Sequence, residues 1–304
     1  MLTGYRMATS DRESAATERA ALFAFVEMGE DYFRAMPFPS GLLRLYGGQV
    51  VSQALAATQR TVQSGRLAHS CHAYFASPGN INLPLDFRVT RDRDGRSFST
   101  RRVIVEQQGT LILTLSASFH DHEDGPRQQL PMPDVTPPGS LRSLAELVAE
   151  VGDTLPRRHW PFWRRETLFD WRPVEPFRIL TSPPESSRKH FWLRFKGRLS
   201  DDPAEHQRFL AYASDLHILH VGLSPLGLAW ADDHLQTASL DHAIWFHDRF
   251  RADEWLLYAL ESPASSGSRA LGRGTLFTAD GRLVATTSQE GLIRLLPTPQ
   301  TNKP

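Results

Sequence analysis

The chain is poor in cysteine: Cys71 is the single one among 304 residues. No intrachain disulfide can form, so nothing points to a disulfide-stapled secreted fold. An excess of one charge is missing too. Lys plus Arg number 34 and Asp plus Glu number 34, a formal net charge of zero. That argues against a nucleic-acid binder working through bulk electrostatics, though not against a local basic pocket for a phosphorylated ligand. No apolar run reaches the ~18 residues of a membrane span. Arg6, Asp11, Arg12, Glu13, Glu18 and Arg19 leave no room for a signal peptide. The end, Gln300 to Pro304, is not a peroxisomal tail. The expected location is the cytoplasm. Common catalytic signatures are also lacking. There is no P-loop, no Gly-rich dinucleotide loop after a strand and no Gly-x-Ser-x-Gly elbow. Ser224, between Gly222 and Gly227, has the wrong spacing for one.

What is there reads as a tandem. Ala21, Leu22, Phe25 and Val26 suggest a helix over 14–30. Gly47 and Gly48 precede a second helix, with Val50, Val51, Ala54, Leu55 and Val62 at helical spacing. Strands follow at 69–76, 84–91 and 97–106. A fourth carries alternating Leu111, Leu113, Leu115, Ala117 and Phe119. From Glu123 to about Ser187 the pattern dissolves into a proline-rich connector. Trp160, Phe162, Trp163 and Trp171 are expected to hold it against the protein, since an exposed aromatic cluster invites association.

The second half repeats the first. A strand at 190–198 leads to a helix opened by Asp202 and Pro203 and carrying Phe209, Leu210, Ala213, Leu216 and Leu219. Strands then fall at 236–247, 254–261, 269–278 and 282–296. The repeat is nearly constant in register. His72–Ala73 recurs as His242–Ala243 (242 − 72 = 170), Leu85 as Leu256 (offset 171) and Gly109 as Gly281 (offset 172). Each half pairs one helix with a half-buried antiparallel sheet. The fold class is therefore α+β, a double hotdog. The expected division is residues 1–125 for the first unit with its N-terminal helix, 126–186 for the connector and 187–304 for the second unit.

Few residues carry chemistry by themselves. His69, Cys71 and His72, or His120 and His122, suggest metal only weakly, and no metal is expected. Cys71 reads as a buried structural thiol. Asp215, inside the second helix, is either a solvated flank residue or an acid held at a cleft. Gln289 shares a strand face with Leu283, Ala285, Thr287, Gly291 and Ile293. A glutamine there needs partners, whether structural or ligand, because an unpaired buried amide costs ~1–3 kcal/mol. Ser239 is a small strand hydroxyl that says little alone.

From about Leu45 to Leu295 the chain resembles the acyl-CoA thioesterase II family. The resemblance rests on Gly47-Gly48-Gln49-Val50-Val51, the run His69 to Tyr74, and Asp94-Gly95-Arg96-Ser97-Phe98-Ser99. In the second half it rests on Tyr212-Ala213-Ser214-Asp215-Leu216, Leu240-Asp241-His242, Trp245-Phe246-His247, Glu254-Trp255-Leu256-Leu257-Tyr258 and Gln289-Glu290-Gly291. It implies a double-hotdog hydrolase of fatty acyl-CoA using an activated water. Asp215 and Gln289 match the family's catalytic aspartate and glutamine. Ser239 stands where the family has threonine, keeping the hydroxyl without the methyl that stiffens it. His69 matches a family histidine, and an accessory role is expected of it. Gly48 and Gln49, at a helix start, are candidate oxyanion donors. No cofactor is implied, coenzyme A being part of the substrate. A homodimer or homotetramer is expected, with no nucleic-acid partner and no membrane span. The rival readings are an enoyl-CoA hydratase-like double-hotdog enzyme and a non-catalytic acyl-CoA-binding protein.

Overall fold

The computed structural model describes residues 19–38, 44–155, 157–163, 167–178, 183–230, 232 and 234–297. Its strands are β1 (Phe25–Gly29), β2 (Tyr32–Ala35), β3 (Leu67–Phe75), β4 (Leu85–Asp94), β5 (Phe98–Gln107) and β6 (Thr110–His120), then β7 (Phe169–Pro173), β8 (Arg188–Phe195), β9 (Leu235–Ser239), β10 (Asp241–Phe246), β11 (Leu256–Ser266), β12 (Arg269–Thr278) and β13 (Leu283–Leu295). Helices α1 (Gly47–Gln59), α2 (Leu144–Val151), α3 (Trp160–Trp163), α4 (Pro203–Ser214) and α5 (His220–Leu223) complete it. One antiparallel sheet runs β1-β2-β4-β5-β6-β3-β10-β13-β12-β11-β8-β7, with β9 also on β13. The order reads alike from both ends. The double hotdog is therefore joined at its centre by β3 against β10, and α1 and α4 pack on each other and on the sheet, α1 over β5 and β6 and α4 over β3.

Strand pairing fixes the repeat register. His242 faces Ala73, and His72 faces Ala243. Opposite residues share a face of a sheet. His242 and Ala73 are buried, whereas His72 is exposed. The matching dipeptides found by sequence thus lie on opposite faces, and an offset of 170 is overturned. An offset of 171 puts Cys71, also fully buried, where His242 lies (242 − 71). It holds for β4 onto β11, so that Phe87 matches Tyr258 (258 − 87). For β6 onto β13 the offset is 172, matching Ala117 with Gln289 (289 − 117). The helices match at 156, their starts being 203 and 47.

Two further expectations change. Of the helix read over 14–30, residues 14–18 lie outside the described ones and 19–22 form a single helical turn. Residues 25–29 are instead β1, an edge strand paired to β2. Phe25 packs edge-on against Phe33 and Phe87, so tertiary pairing overrides local periodicity. The chain reverses through Asp31, at φ +52, whose carboxylate Arg91 holds at 2.7 Å. The stretch read as connector also contains regular structure. Strand β7 pairs with β8 at the far sheet edge. Helix α2 opens with a capping box in which Ser143 and Glu146 satisfy each other's backbone N–H. Trp163 and Trp171 are buried, and Trp160 and Phe162 pack on a small core with Val148 and Leu155.

Candidate active site

The site forms where the start of α1 meets the end of α4. Asp215 is not deep inside its helix, as its spacing suggested, but caps the C-terminus. The chain then leaves through His217 at φ +69. A carboxylate is disfavoured at the end of its own helix, where carbonyls concentrate negative charge. The start of α1 offsets this with the opposite end of a dipole. The Gly48 N–H donates to Asp215 Oδ2 at 2.7 Å. Two glycines permit the approach. A Cβ on Gly47 would lie 2.9 Å from that oxygen, and one on Gly48 would lie 2.3 Å from the Tyr212 carbonyl oxygen. The Tyr46 hydroxyl donates to the same carbonyl at 2.8 Å.

Ser239 ends β9. Leu240 interrupts what the sequence suggested was one continuous strand, so that β13 changes partner from β10 to β9 near Gln289. This brings Ser239 Oγ within 3.2 Å of Asp215 Oδ1, and Gln289 Nε2 within 2.9 Å of Ser239 Oγ. Gln289 is fully buried. Its Oε1 bonds His242 Nδ1, and His242 Nε2 lies 2.8 Å from Ser214 Oγ. Burial disfavours the charged imidazole of His242 and lowers its pKa, against the pull of Asp215. Behind Ser214, the Tyr258 hydroxyl donates to its carbonyl at 2.9 Å and bonds Thr287 at 2.8 Å. Burial raises that phenol's pKa.

Asp215, Ser239 and Gln289 therefore form one connected group. They line a cavity of about 420 Å³ together with Tyr46 and Gly47. Leu45, Phe162, Leu216, Leu219, Trp230 and Ala238 supply apolar wall. Sequence reasoning gave Phe162 only a packing role and did not single out Trp230, yet both reach the cavity from segments distant in the chain and stack with rings 6.4 Å apart. It also did not connect His242 with Gln289, although His242 sits in a recognisable motif.

The remaining candidates fall elsewhere. Gly48 spends its N–H on Asp215, and the Gln49 N–H donates to the Tyr46 carbonyl at 3.1 Å. The Gln49 side chain points inward to Gln53. Both are thus placed to shape the helix start rather than to offer a free oxyanion donor. His69 bonds Ser118 at 2.8 Å and lines a separate cavity of about 710 Å³ with His120 and His247. Burial and His120 lower its pKa. The Cys71 thiol is fully buried and pushed up to about 12 by desolvation. Among the described residues, no group of three His, Cys, Asp or Glu could hold a metal ion. No helix among them is long and apolar enough to cross a membrane.

Known proteins share this architecture. A hot dog fold protein from Alicyclobacillus acidocaldarius superposes with a TM-score of 0.71 at 17% identity, over 92% of this chain and 98% of that one, a likeness of fold alone. The family model described as "Acyl-CoA thioesterase N-terminal domain" matches residues 35–120, and "Acyl-CoA thioesterase" matches residues 166–292. The acyl-CoA thioesterase II TesB2 from Mycobacterium marinum has a TM-score of 0.74 and 37% identity, covering 92% of this chain and 99% of that one. These findings define the class, a double-hotdog thioester hydrolase. Acyl-CoA thioesterase 2 of Haemophilus influenzae is 36% identical over 86% of this chain and 92% of its own length. Human acyl-coenzyme A thioesterase 8 is 36% identical over 89% and 86%. Within that class the chain belongs to the acyl-CoA thioesterase II family.

Proposed function

We propose that this enzyme hydrolyses fatty acyl-CoA to free fatty acid and coenzyme A by direct attack of a water held by Asp215, Ser239 and Gln289. The observation that carries the reading is the unbroken run of hydrogen bonds joining these three side chains on the wall of one cavity. A thioester carbonyl is electrophilic and its thiolate leaves readily, so an activated, oriented water suffices. Asp215 takes the water's proton, which as general-base help is worth ~10²–10⁴-fold. Ser239 and Gln289 fix the direction of attack. The carboxylate is aimed by Gly48 from one side and Ser239 from the other. The acyl chain lies along Leu45, Leu216, Leu219 and Trp230, whose apolar surface favours hydrocarbon over water. Nothing in this chemistry calls for a cofactor.

The test is release of thiol from acyl-CoA, followed by colour over a ladder of chain lengths. Asp215→Asn and Gln289→Ala should each lose most turnover while their thermal unfolding stays close to that of the unaltered enzyme. A folded variant of either with undiminished turnover overturns the assignment.

A further inference from the structure

We infer that His242, which does not touch the cavity, is a positioning residue that sets the direction of the side-chain hydrogen bonds running through Gln289 and Ser239 to Asp215 Oδ1. The inference rests on the proposed roles of Asp215 and Gln289 and goes one layer behind them.

The direction follows from what each group can donate. An ionised carboxylate only accepts. The single Ser239 proton is therefore committed to Asp215 Oδ1, 3.2 Å away. Ser239 Oγ must then accept from its other neighbour, so Gln289 presents Nε2 there, at 2.9 Å. The amide's Oε1 necessarily points the other way, at His242 Nδ1. That nitrogen must carry a proton. A neutral imidazole has one, so Nε2 is bare and accepts the single Ser214 hydroxyl proton at 2.8 Å, in preference to the Ala211 carbonyl that lies 3.4 Å from the same Oγ. All the bonds run one way: Ser214 to His242, His242 to Gln289, Gln289 to Ser239, Ser239 to Asp215. Each donor along such a chain polarises the next.

An amide can rotate by half a turn at little steric cost, since its oxygen and nitrogen have nearly the same shape. If Gln289 turned over, its oxygen would compete for the Ser239 proton. Asp215 would lose a donor and the water-binding group would lose its polarity. His242 prevents this because its Nδ1–H bonds only the oxygen. The imidazole is fully buried, so no solvent molecule can substitute for it. The other half of the chain marks the same conclusion by contrast. Where Cys71 occupies the position of His242, Ala117 occupies that of Gln289, and there is no amide to orient.

Three measurements test this. First, ¹⁵N spectra of histidine-labelled enzyme should show the His242 ring, assigned by its loss in His242→Asn, as neutral and protonated on Nδ1. Protonation on Nε2 overturns the inference, whatever the variants do. Second, His242→Gln removes the donor facing Gln289, whereas His242→Asn keeps an amide N–H close to the place of Nδ1–H. We expect kcat to fall about tenfold or more in the Gln variant with KM changed less than about twofold, and the Asn variant to recover most of it. Equal kcat in the two variants overturns the inference. Third, His242→Gln in a Gln289→Ala background should cause no further loss, because groups that act as a unit are not additive. Losses that multiply would give His242 a separate role and overturn it. The Asp215→Asn assay separates the two levels. Full activity there sinks the proposed function. A dead Asp215→Asn enzyme beside an active His242→Gln one sinks this inference alone.

Discussion

At matched strand positions the first half buries Cys71, Phe87, Leu115 and Ala117, where the second buries His242, Tyr258, Thr287 and Gln289. At the helix ends, Gln59 and Thr58 stand where the second half has Asp215 and Ser214. Ala68 takes the place of Ser239 (239 − 68 = 171). Contacts follow the same relation. Asp215 meets Gly48, and Gln59 meets Ala204, bonding its carbonyl at 3.4 Å. One frame thus holds two linings. The apolar one needs nothing but close packing. In the polar one, every buried atom depends on the next for a partner, and a partly satisfied network is worse than none. The site is therefore present as a unit in one half and absent as a unit from the other. Both helices still serve it, since the Asp215 carboxylate closes α4 and the Gly48 N–H bonded to it opens α1.

Attempts to move the site across the frame should fail in a graded way. The largest effect is expected for Asp215→Asn, a loss of about 10²–10⁴-fold in kcat. Adding Gln59→Asp to that variant should restore nothing, because Ala68 and Ala117 offer no hydrogen bond. Recovered thiol release would break the comparison. Next is Gly48→Ala, which copies the Ala204 of the other helix start. Its Cβ would meet a backbone oxygen, which cannot swing aside like a side-chain tip. Overpacking of this kind costs about 1–3 kcal/mol, read by denaturant unfolding, and displacement of the carboxylate should cut kcat by at least about tenfold. Ala117→Gln tests the converse. It buries an amide among Cys71 and Ala68, and should destabilise the chain by about 1–3 kcal/mol with kcat unchanged. The smallest effect is expected for Tyr258→Phe, which imports the residue of the first half. It removes a donor from the Ser214 carbonyl and should lower stability by about 0.5–1.5 kcal/mol, with a less than severalfold change in kcat. A larger kinetic loss would extend the working network to Tyr258.

Much of the frame could be read before any coordinates. The alternation from Leu111 to Phe119 lies within β6, and Asp202 caps α4 through the Ala204 N–H at 3.0 Å. The edges were harder to read. Ala21, Leu22, Phe25 and Val26 have a helical spacing of apolar groups, yet residues 25–29 pair with a strand edge, and periodicity cannot register a distant partner. The repeat misled at one point for a related reason. His72 and His242 match as letters, but a slip of one residue turns a strand side chain to the opposite face. Asp215, Ser239 and Gln289 were singled out through a family resemblance, and the structure places them in one hydrogen-bonded group. None of them is distinctive by local pattern, and Ser214 and His242 carried no role at all.

By itself the sequence determined the elements, their tandem order and the residue types available for chemistry, because periodicity, caps and turns act over a few neighbouring residues. Only the tertiary structure decided which of those residues meet. Gly48 opens the helix of one half and Asp215 closes that of the other, and the two meet where the half-sheets join through β3 and β10, while Ser239 links Asp215 to Gln289 on the last strand. Burial then gave the contact its meaning. With solvent shut out, a histidine, an amide and a hydroxyl must satisfy one another, and that necessity fixes the direction in which their protons point.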